Sequence, residues 1–159
     1  MELVMEPPDE LPRQTIAESA EGQPMVMIGL RIGQQIRELF SDSHLDGSIT
    51  VCGPSKDEAE SLMRGLEIAT SCSRAEGQIV WKPEQRYRVV SACTGQEARF
   101  EVQSSVLNLV DEGAKNGQEE TVATQISELP DDEIYLMTVE EWSDKRAYEV
   151  LLQVESASL

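Results

Sequence analysis

The sequence is poor in basic residues, in aromatic residues and in histidine. Thirteen Lys and Arg stand against thirty Asp and Glu among 159 residues, which gives a formal net charge of −17. Because uncompensated acids repel phosphate, this balance disfavours a chain that binds nucleic acid or an anionic membrane over its whole surface. Aromatic residues make up 4% of the chain, so core packing falls mostly to Val, Ile, Leu and Met.

Other absences exclude whole classes of protein. The sequence has no run of about 18 apolar residues, so we predict no membrane span and no membrane partner. The acidic first residues lack the basic and apolar regions of a secretory signal. Three cysteines, at positions 52, 72 and 93, fit neither a disulfide framework nor a zinc knuckle. We therefore predict an intracellular protein of a reducing compartment, the cytoplasm or an organelle matrix, without metal or cofactor.

Candidate catalytic residues are scarce. His44 is the single histidine, and its position between Asp42 and Asp46 is typical of a turn. Cys52 precedes a helix start, but no arginine follows it before Arg64 to hold a phosphate, which favours a structural cysteine. The sequence contains no phosphate-binding glycine loop and no Gly-x-Ser-x-Gly motif. We therefore predict that the protein is not an enzyme and has no catalytic residues, while catalysis by carboxylates alone stays open.

Composition and hydropathy patterns divide the chain into four segments. Residues 1–22 carry six acids, one arginine and three prolines, and are predicted to be a flexible acidic lead-in. Residues 23–75 are predicted to form a small α/β domain and have a net charge of −2. Residues 76–142 are predicted to form a mostly β domain, and the tail, 143–159, fits a helix or a strand. The acidity is concentrated in residues 76–159, whose net charge is −10.

Local patterns predict an α+β fold. Residues 47–52 alternate like a strand, and the capping box from Ser55 to Glu58 opens a helix that runs to Ala69. Residues 25–40 suggest a strand or turn that enters a short helix. After Cys72 a two-fold period predicts strands at residues 78–81, 87–90, 98–102, 120–126 and 133–137. One short helix is predicted after Ser104.

Residues 27–39, with the sequence MIGLRIGQQIREL, resemble the glycine loop and helix of K-homology (KH) RNA-binding domains. The strand and helix that follow resemble the last two elements of that domain. A KH loop binds RNA because its glycines let the backbone approach phosphate groups. Leu30 stands where the family has its first loop glycine, which weakens the implied site. The resemblance implies four RNA-binding residues: Gly29, Arg31, Gly33 and Arg37.

In polynucleotide phosphorylases the KH domain is followed by an S-one domain, which is an OB-type β-barrel. Residues 77–142 resemble that barrel in the order and spacing of their predicted strands. Two family positions that contact RNA, an aromatic residue and a histidine, correspond here to Arg88 and Glu101, and this acid would repel RNA. Trp81 and Tyr87 are candidates for base stacking. The resemblance thus implies a KH-like βα segment (23–75) followed by a mostly antiparallel OB-like β-barrel (76–142).

Two functions of different classes follow from the sequence. The first is a non-enzymatic interaction protein: a degenerate KH/OB-like RNA-binding module that engages a ribonucleoprotein or a basic protein partner, or single-stranded RNA through its N-terminal half. The second is an acidic protein of viral, phage or immunity type, which masks a cationic surface of a nucleic-acid-binding enzyme. Adaptation to high salt is a third explanation of the acidity.

Overall fold

The computed structural model describes residues 23–40, 48–93 and 96–141. The predicted lead-in (1–22), His44 and the tail (143–159) lie outside the described residues. The described elements, in chain order, are α1 (Pro24–Leu39), β1 (Ile49–Gly53), α2 (Lys56–Thr70), β2 (Ile79–Pro83), β3 (Arg88–Cys93), β4 (Gln96–Val102), α3 (Ser104–Asn116), α4 (Glu119–Glu128), the one-turn α5 (Asp131–Ile134) and β5 (Tyr135–Glu141).

The strands form one five-stranded sheet in the order β2-β1-β3-β4-β5. Strands β1 and β2 are parallel, because α2 crosses between them, and the other neighbours are antiparallel. The predicted α+β class is confirmed. The predicted closed barrel is wrong for the described residues, because the sheet is open and β2 and β5 lie at its two ends.

The sheet combines strands from both predicted domains. Strand β1 belongs to the segment predicted to be KH-like, yet it pairs on both sides with β2 and β3, which belong to the segment predicted to be the barrel. The predicted boundary after residue 75 falls in the connection between α2 and β2. The buried apolar residues of both segments belong to one core cluster.

Helix α2 begins where the capping box predicts. The Ser55 side chain accepts a hydrogen bond from the backbone N–H of Glu58 at 3.4 Å. Asp57 and Glu58 lie in the first turn, where a negative charge interacts favourably with the helix dipole. The strand and helix predicted for this part of the chain are confirmed.

Helix α1 extends without interruption from Pro24 to Leu39, so the strand or turn predicted for its start is wrong. Residues 24–30 are all buried, because α1 packs against both α2 and α4. A helix that is buried on all sides loses its amphipathic period, and its apolar run then resembles that of a buried strand. Pro24 is tolerated in the first turn, where its missing N–H has no intrahelical partner to lose.

Helix α4 replaces the strand predicted at 120–126. Its Val and Thr content favours a strand locally. Its buried side chains nevertheless recur at helical spacing, because they face α1 and α3: Val122, Ala123, Ile126 and Ser127. The helix predicted after Ser104 is confirmed as α3, and β5 begins at Tyr135, two residues later than predicted.

The sheet has one face in the core and one open face. Along one row of the register, Val51, Val89 and Phe100 are buried and belong to the core that contains residues of all five helices. In the adjacent row, Thr50, Val90 and Arg99 are only half-buried. On this open face Arg99 forms ion pairs with Glu97 at 2.9 Å and with Glu140 at 3.9 Å.

Candidate interaction surface

Gly29 and Gly33 lie in the middle of α1, so the prediction that they belong to a loop is wrong. Both glycines face α2. A Cβ at Gly29 would overlap the carbonyl oxygen of Leu62, and a Cβ at Gly33 would lie 2.6 Å from the Cβ of Ala69. The glycines therefore permit a close crossing of two helices. Both are buried, away from the helix N-terminus where backbone N–H groups are available to an anion.

Arg31 lies on the same helix but contacts α4 and α5. Its guanidinium donates hydrogen bonds to the carbonyl oxygens of Ile126 and Ser127 at 2.8 and 3.2 Å. It also forms an ion pair of 2.7 Å with Asp131, and its side chain is 11% exposed. These bonds satisfy carbonyls at the C-terminal end of α4, where a positive charge is favourable. Arg31 therefore connects three helices.

Arg37 and Trp81 lie in different parts of the molecule. Arg37 donates a hydrogen bond to the carbonyl oxygen of Ala69 at 3.3 Å, near the end of α2. Trp81 lies on β2 in register with Val51, on the core side of the sheet, and is half-buried. Its indole N–H is buried and has no hydrogen-bond partner among the described residues.

Tyr87 is buried between α2 and the sheet. The Tyr87 ring packs so closely on Gly53 that a Cβ at Gly53 would overlap it. The Tyr87 hydroxyl donates a hydrogen bond to the carboxylate of Glu58 at 3.1 Å. Burial raises the pKa of Tyr87 to about 12, and the charge of Glu58 contributes to the rise. The structure thus does not bring the six predicted RNA-contacting residues together on one surface. They are divided between the α1–α2 contact, the α4 end and the core side of the sheet.

The described residues contain no arrangement typical of a metal site. No group of three His, Cys, Asp or Glu side chains within them could hold a metal ion. Cys52 and Cys72 are free thiols and both are buried. Burial raises the pKa of Cys52, and the neighbouring Glu84 raises it further, so this thiol stays protonated near neutral pH. Within the same ranges, no helix has the length and apolar character needed to cross a bilayer.

Exposed acids are concentrated on the three consecutive helices from α3 to α5. Between residues 111 and 133 the chain has eight acids and one base, Lys115, a net charge of −7. All eight acidic residues are exposed. We call this set the acidic surface: Asp111, Glu112, Glu119, Glu120, Glu128, Asp131, Asp132 and Glu133.

The sequence patterns do not predict the acidic surface as a unit, because they favour a strand at residues 120–126. One signal could have revealed it: Gly117 is followed after one residue by two acids, Glu119 and Glu120, a pattern typical of one helix end and the next helix start. Gly117 has a φ of 68°, the left-handed conformation that ends α3. Glu119 and Glu120 then occupy the first turn of α4.

Strand β5 follows the acidic surface directly and exposes apolar side chains. Leu136, Met137 and Val139 are 56%, 42% and 38% exposed. An open cleft of about 380 Å³ lies beside the start of β5, and Leu136 contributes to its wall together with Arg86 and Glu101. Those two charged residues form an ion pair of 3.6 Å.

A scan against models of known protein families finds no match to this chain, and a search of curated proteins finds no similar sequence. The resemblance to KH and S-one domains therefore stays a prediction.

Proposed function

We propose that this chain is a non-enzymatic interaction protein that binds a basic protein partner through the acidic surface. The observation that carries the proposal is the collection of eight exposed acids and one base on three consecutive helices. Because the helices are packed, the backbone positions of these acids are fixed, and a cationic partner meets charges at defined spacings. Complementary charges of this kind accelerate association and select the partner.

A basic protein is better supported as the ligand than RNA. The acidic surface repels phosphate. In α1, Gly29 and Gly33 are packed against α2, and Arg31 is already bonded to α4 and Asp131. Three of the four RNA-binding residues that the KH resemblance implies are thus engaged in packing. RNA binding through the N-terminal half stays a prediction, and the same experiment tests it.

The experiment compares two labelled probes, deca-lysine and a single-stranded RNA of similar length, by fluorescence anisotropy at increasing salt. We expect deca-lysine to bind with a steep salt dependence and the RNA not to bind. The double charge reversal Glu119→Lys and Glu120→Lys should weaken deca-lysine binding about 30-fold. Each reversal replaces an attraction of about 0.5 kcal/mol with a similar repulsion, which is about 2 kcal/mol for the two positions.

The matched control reverses two exposed acids outside the acidic surface, Glu60→Lys on α2 and Glu76→Lys in the turn before β2. Both double variants change the net charge by the same amount. Their comparison therefore separates binding at the acidic surface from a general effect of the chain's net charge. Equal weakening by the two double variants would contradict a localised site. Binding of RNA without binding of deca-lysine would contradict the proposed partner class.

A further inference from the structure

Strand β5 presents a long, regular edge of the described sheet. The sheet order ends at β5, and its seven residues pair with β4 in an unbroken register from Tyr135 to Glu141. The strand therefore has no bulge that would twist the edge away from a partner. Its exposed apolar residues lie on both sides: Leu136 is on the open face, and Met137 and Val139 are on the core side.

The hydrogen bonds show which backbone groups of β5 face away from β4. The N–H of Gln103 donates to the carbonyl oxygen of Ile134 at 2.9 Å, so these two residues form a bonded pair. Bonded and non-bonded pairs alternate along an antiparallel ladder. Leu136, Thr138 and Glu140 therefore bond to β4. The N–H and C=O groups of Met137 and Val139 point to the outer edge.

The opposite edge of the described sheet differs in the features that prevent strand pairing. Strand β2 has five residues, including an exposed Lys82 and a terminal Pro83. Lysine and proline are residues with which proteins protect edge strands. Strand β5 has seven residues and contains neither Lys, Arg nor Pro. The acids of β5, Glu140 and Glu141, are its last two residues, so the edge at Met137 and Val139 has no protecting charge within the strand and is consistent with a site for an added strand.

The charges around β5 specify the chemistry of that strand. Asp132 and Glu133 precede β5 and Glu140 lies near its end, so acids border an apolar centre. A second copy of this chain would bring the same acids and a charge of −17 to the edge, which opposes pairing. A basic strand would instead place opposite charges beside these acids.

We propose that the β5 edge binds one extended segment of the basic partner as an added strand. Apolar or β-branched residues of that segment lie beside Met137 and Val139, and Lys or Arg residues on both sides contact the bordering acids. Backbone hydrogen bonds supply affinity and the alternating side chains supply specificity. This inference rests on the proposed function: the acidic surface attracts the basic partner, and the edge selects the segment that is bound.

The test uses the full chain and two peptides of equal charge. The first, Lys-Arg-Val-Thr-Val-Thr-Val-Arg-Lys, can form a strand. In the second, proline replaces both threonines and prevents pairing. We expect the first peptide to bind at least about tenfold more tightly, because several backbone hydrogen bonds are lost with the second.

A variant pair tests the edge itself. Val139→Pro removes an outward N–H but none of the bonds to β4, and should weaken binding of the first peptide about tenfold. Val139→Thr keeps the N–H and should bind within about twofold of the original chain. Deca-lysine binding should be the same in both variants, because it depends on the acidic surface. Circular dichroism checks that both variants fold.

Hydrogen exchange provides a measurement that needs no variant. The amides of Met137 and Val139 should exchange rapidly in the free chain and become protected when the first peptide binds. Protection in the free chain, whether or not it grows with protein concentration, would overturn the inference, because the edge is then occupied by the chain itself or by a second copy. Equal binding of the two peptides, with deca-lysine still bound, would overturn the inference and leave the proposed function intact. If deca-lysine and the two peptides all fail to bind, both the inference and the proposed function are overturned.

Discussion

Replacement of Gly33 by alanine tests the close crossing of α1 and α2. A Cβ at this position would lie 2.6 Å from the Cβ of Ala69 and 3.4 Å from Cγ2 of Thr70. Carbon atoms in ordinary contact are about 3.5–4.0 Å apart, so the two methyl groups must separate by about 1 Å. The Cβ of Ala69 cannot rotate away, because it is attached directly to the backbone of α2. The helices themselves must therefore move.

The expected loss of stability is the balance of two effects. Overpacking costs about 1–3 kcal/mol, while alanine is favoured over glycine in a helix by up to about 1 kcal/mol. We therefore expect Gly33→Ala to lower the free energy of unfolding by about 1–2 kcal/mol in urea denaturation followed by circular dichroism. Ala69→Gly alone should cost about 2 kcal/mol, from one buried methyl group and the lower helix propensity of glycine.

The double variant Gly33→Ala, Ala69→Gly tests directly whether Gly33 is needed for the close packing of α1 against α2. It transfers one methyl group from α2 to α1 in the same gap, so the propensity and burial effects cancel. We expect its stability to lie within about 1 kcal/mol of the original chain, a coupling of about 2–4 kcal/mol between the two positions. Simple addition of the two single losses would refute the packing role of Gly33. If Gly33 also contributes to RNA binding, the stable double variant should lose RNA binding.

The contacts of Arg31 and Tyr87 give two further predictions. Arg31→Met should lower the free energy of unfolding by about 2–3 kcal/mol, because carbonyls at the end of α4 lose a charged donor. Asp131→Asn should cost less than about 1 kcal/mol, since Asp131 is 55% exposed, and equal losses would contradict the capping role. For Tyr87, whose pKa is raised to about 12, folding favours the neutral phenol. The resulting stabilisation is complete below about pH 10 and is lost as the pH rises toward about 12. Tyr87→Phe should therefore make the loss of stability between about pH 10 and 12 shallower, and identical pH profiles would contradict this.

The elements that could be predicted from the sequence are those whose signals are local. The capping box at Ser55 contains its own hydrogen-bond acceptor, and the bond to the N–H of Glu58 forms as expected. The alternation in residues 98–102 matches a strand with buried Ala98, Phe100 and Val102. The cap of α2 depends on residues that are close along the chain. The alternation in β4 reflects one buried face of the strand.

Helices α1 and α4 could not be assigned in this way, because distant contacts decide their structure. The start of α1 is surrounded by other elements and has no polar face to mark a helical period. The Val and Thr residues of α4 favour a strand, yet Ile126 and Val122 lie in the core that α1 and α3 help to form. The loop predicted around Gly29 and Gly33 is wrong for the same reason: Gly33 lies within α1 and contacts Ala69, a residue far away in the sequence.

The interaction site that we propose depends on which strands pair with β5, and the sequence of β5 does not indicate this. The residues of β5, YLMTVEE, are compatible with a central strand, where Leu136 and Met137 would both be buried. Met137 is exposed because β5 pairs with β4 on one side only within the described sheet, and Leu136 is exposed because it lies on the open face. A natural sequence is expected to violate local rules where function requires it. The opposite edge of the described sheet, at β2, has both Lys and Pro, whereas β5 has neither. This absence is such a violation, and it is the reason to test β5 before any other surface.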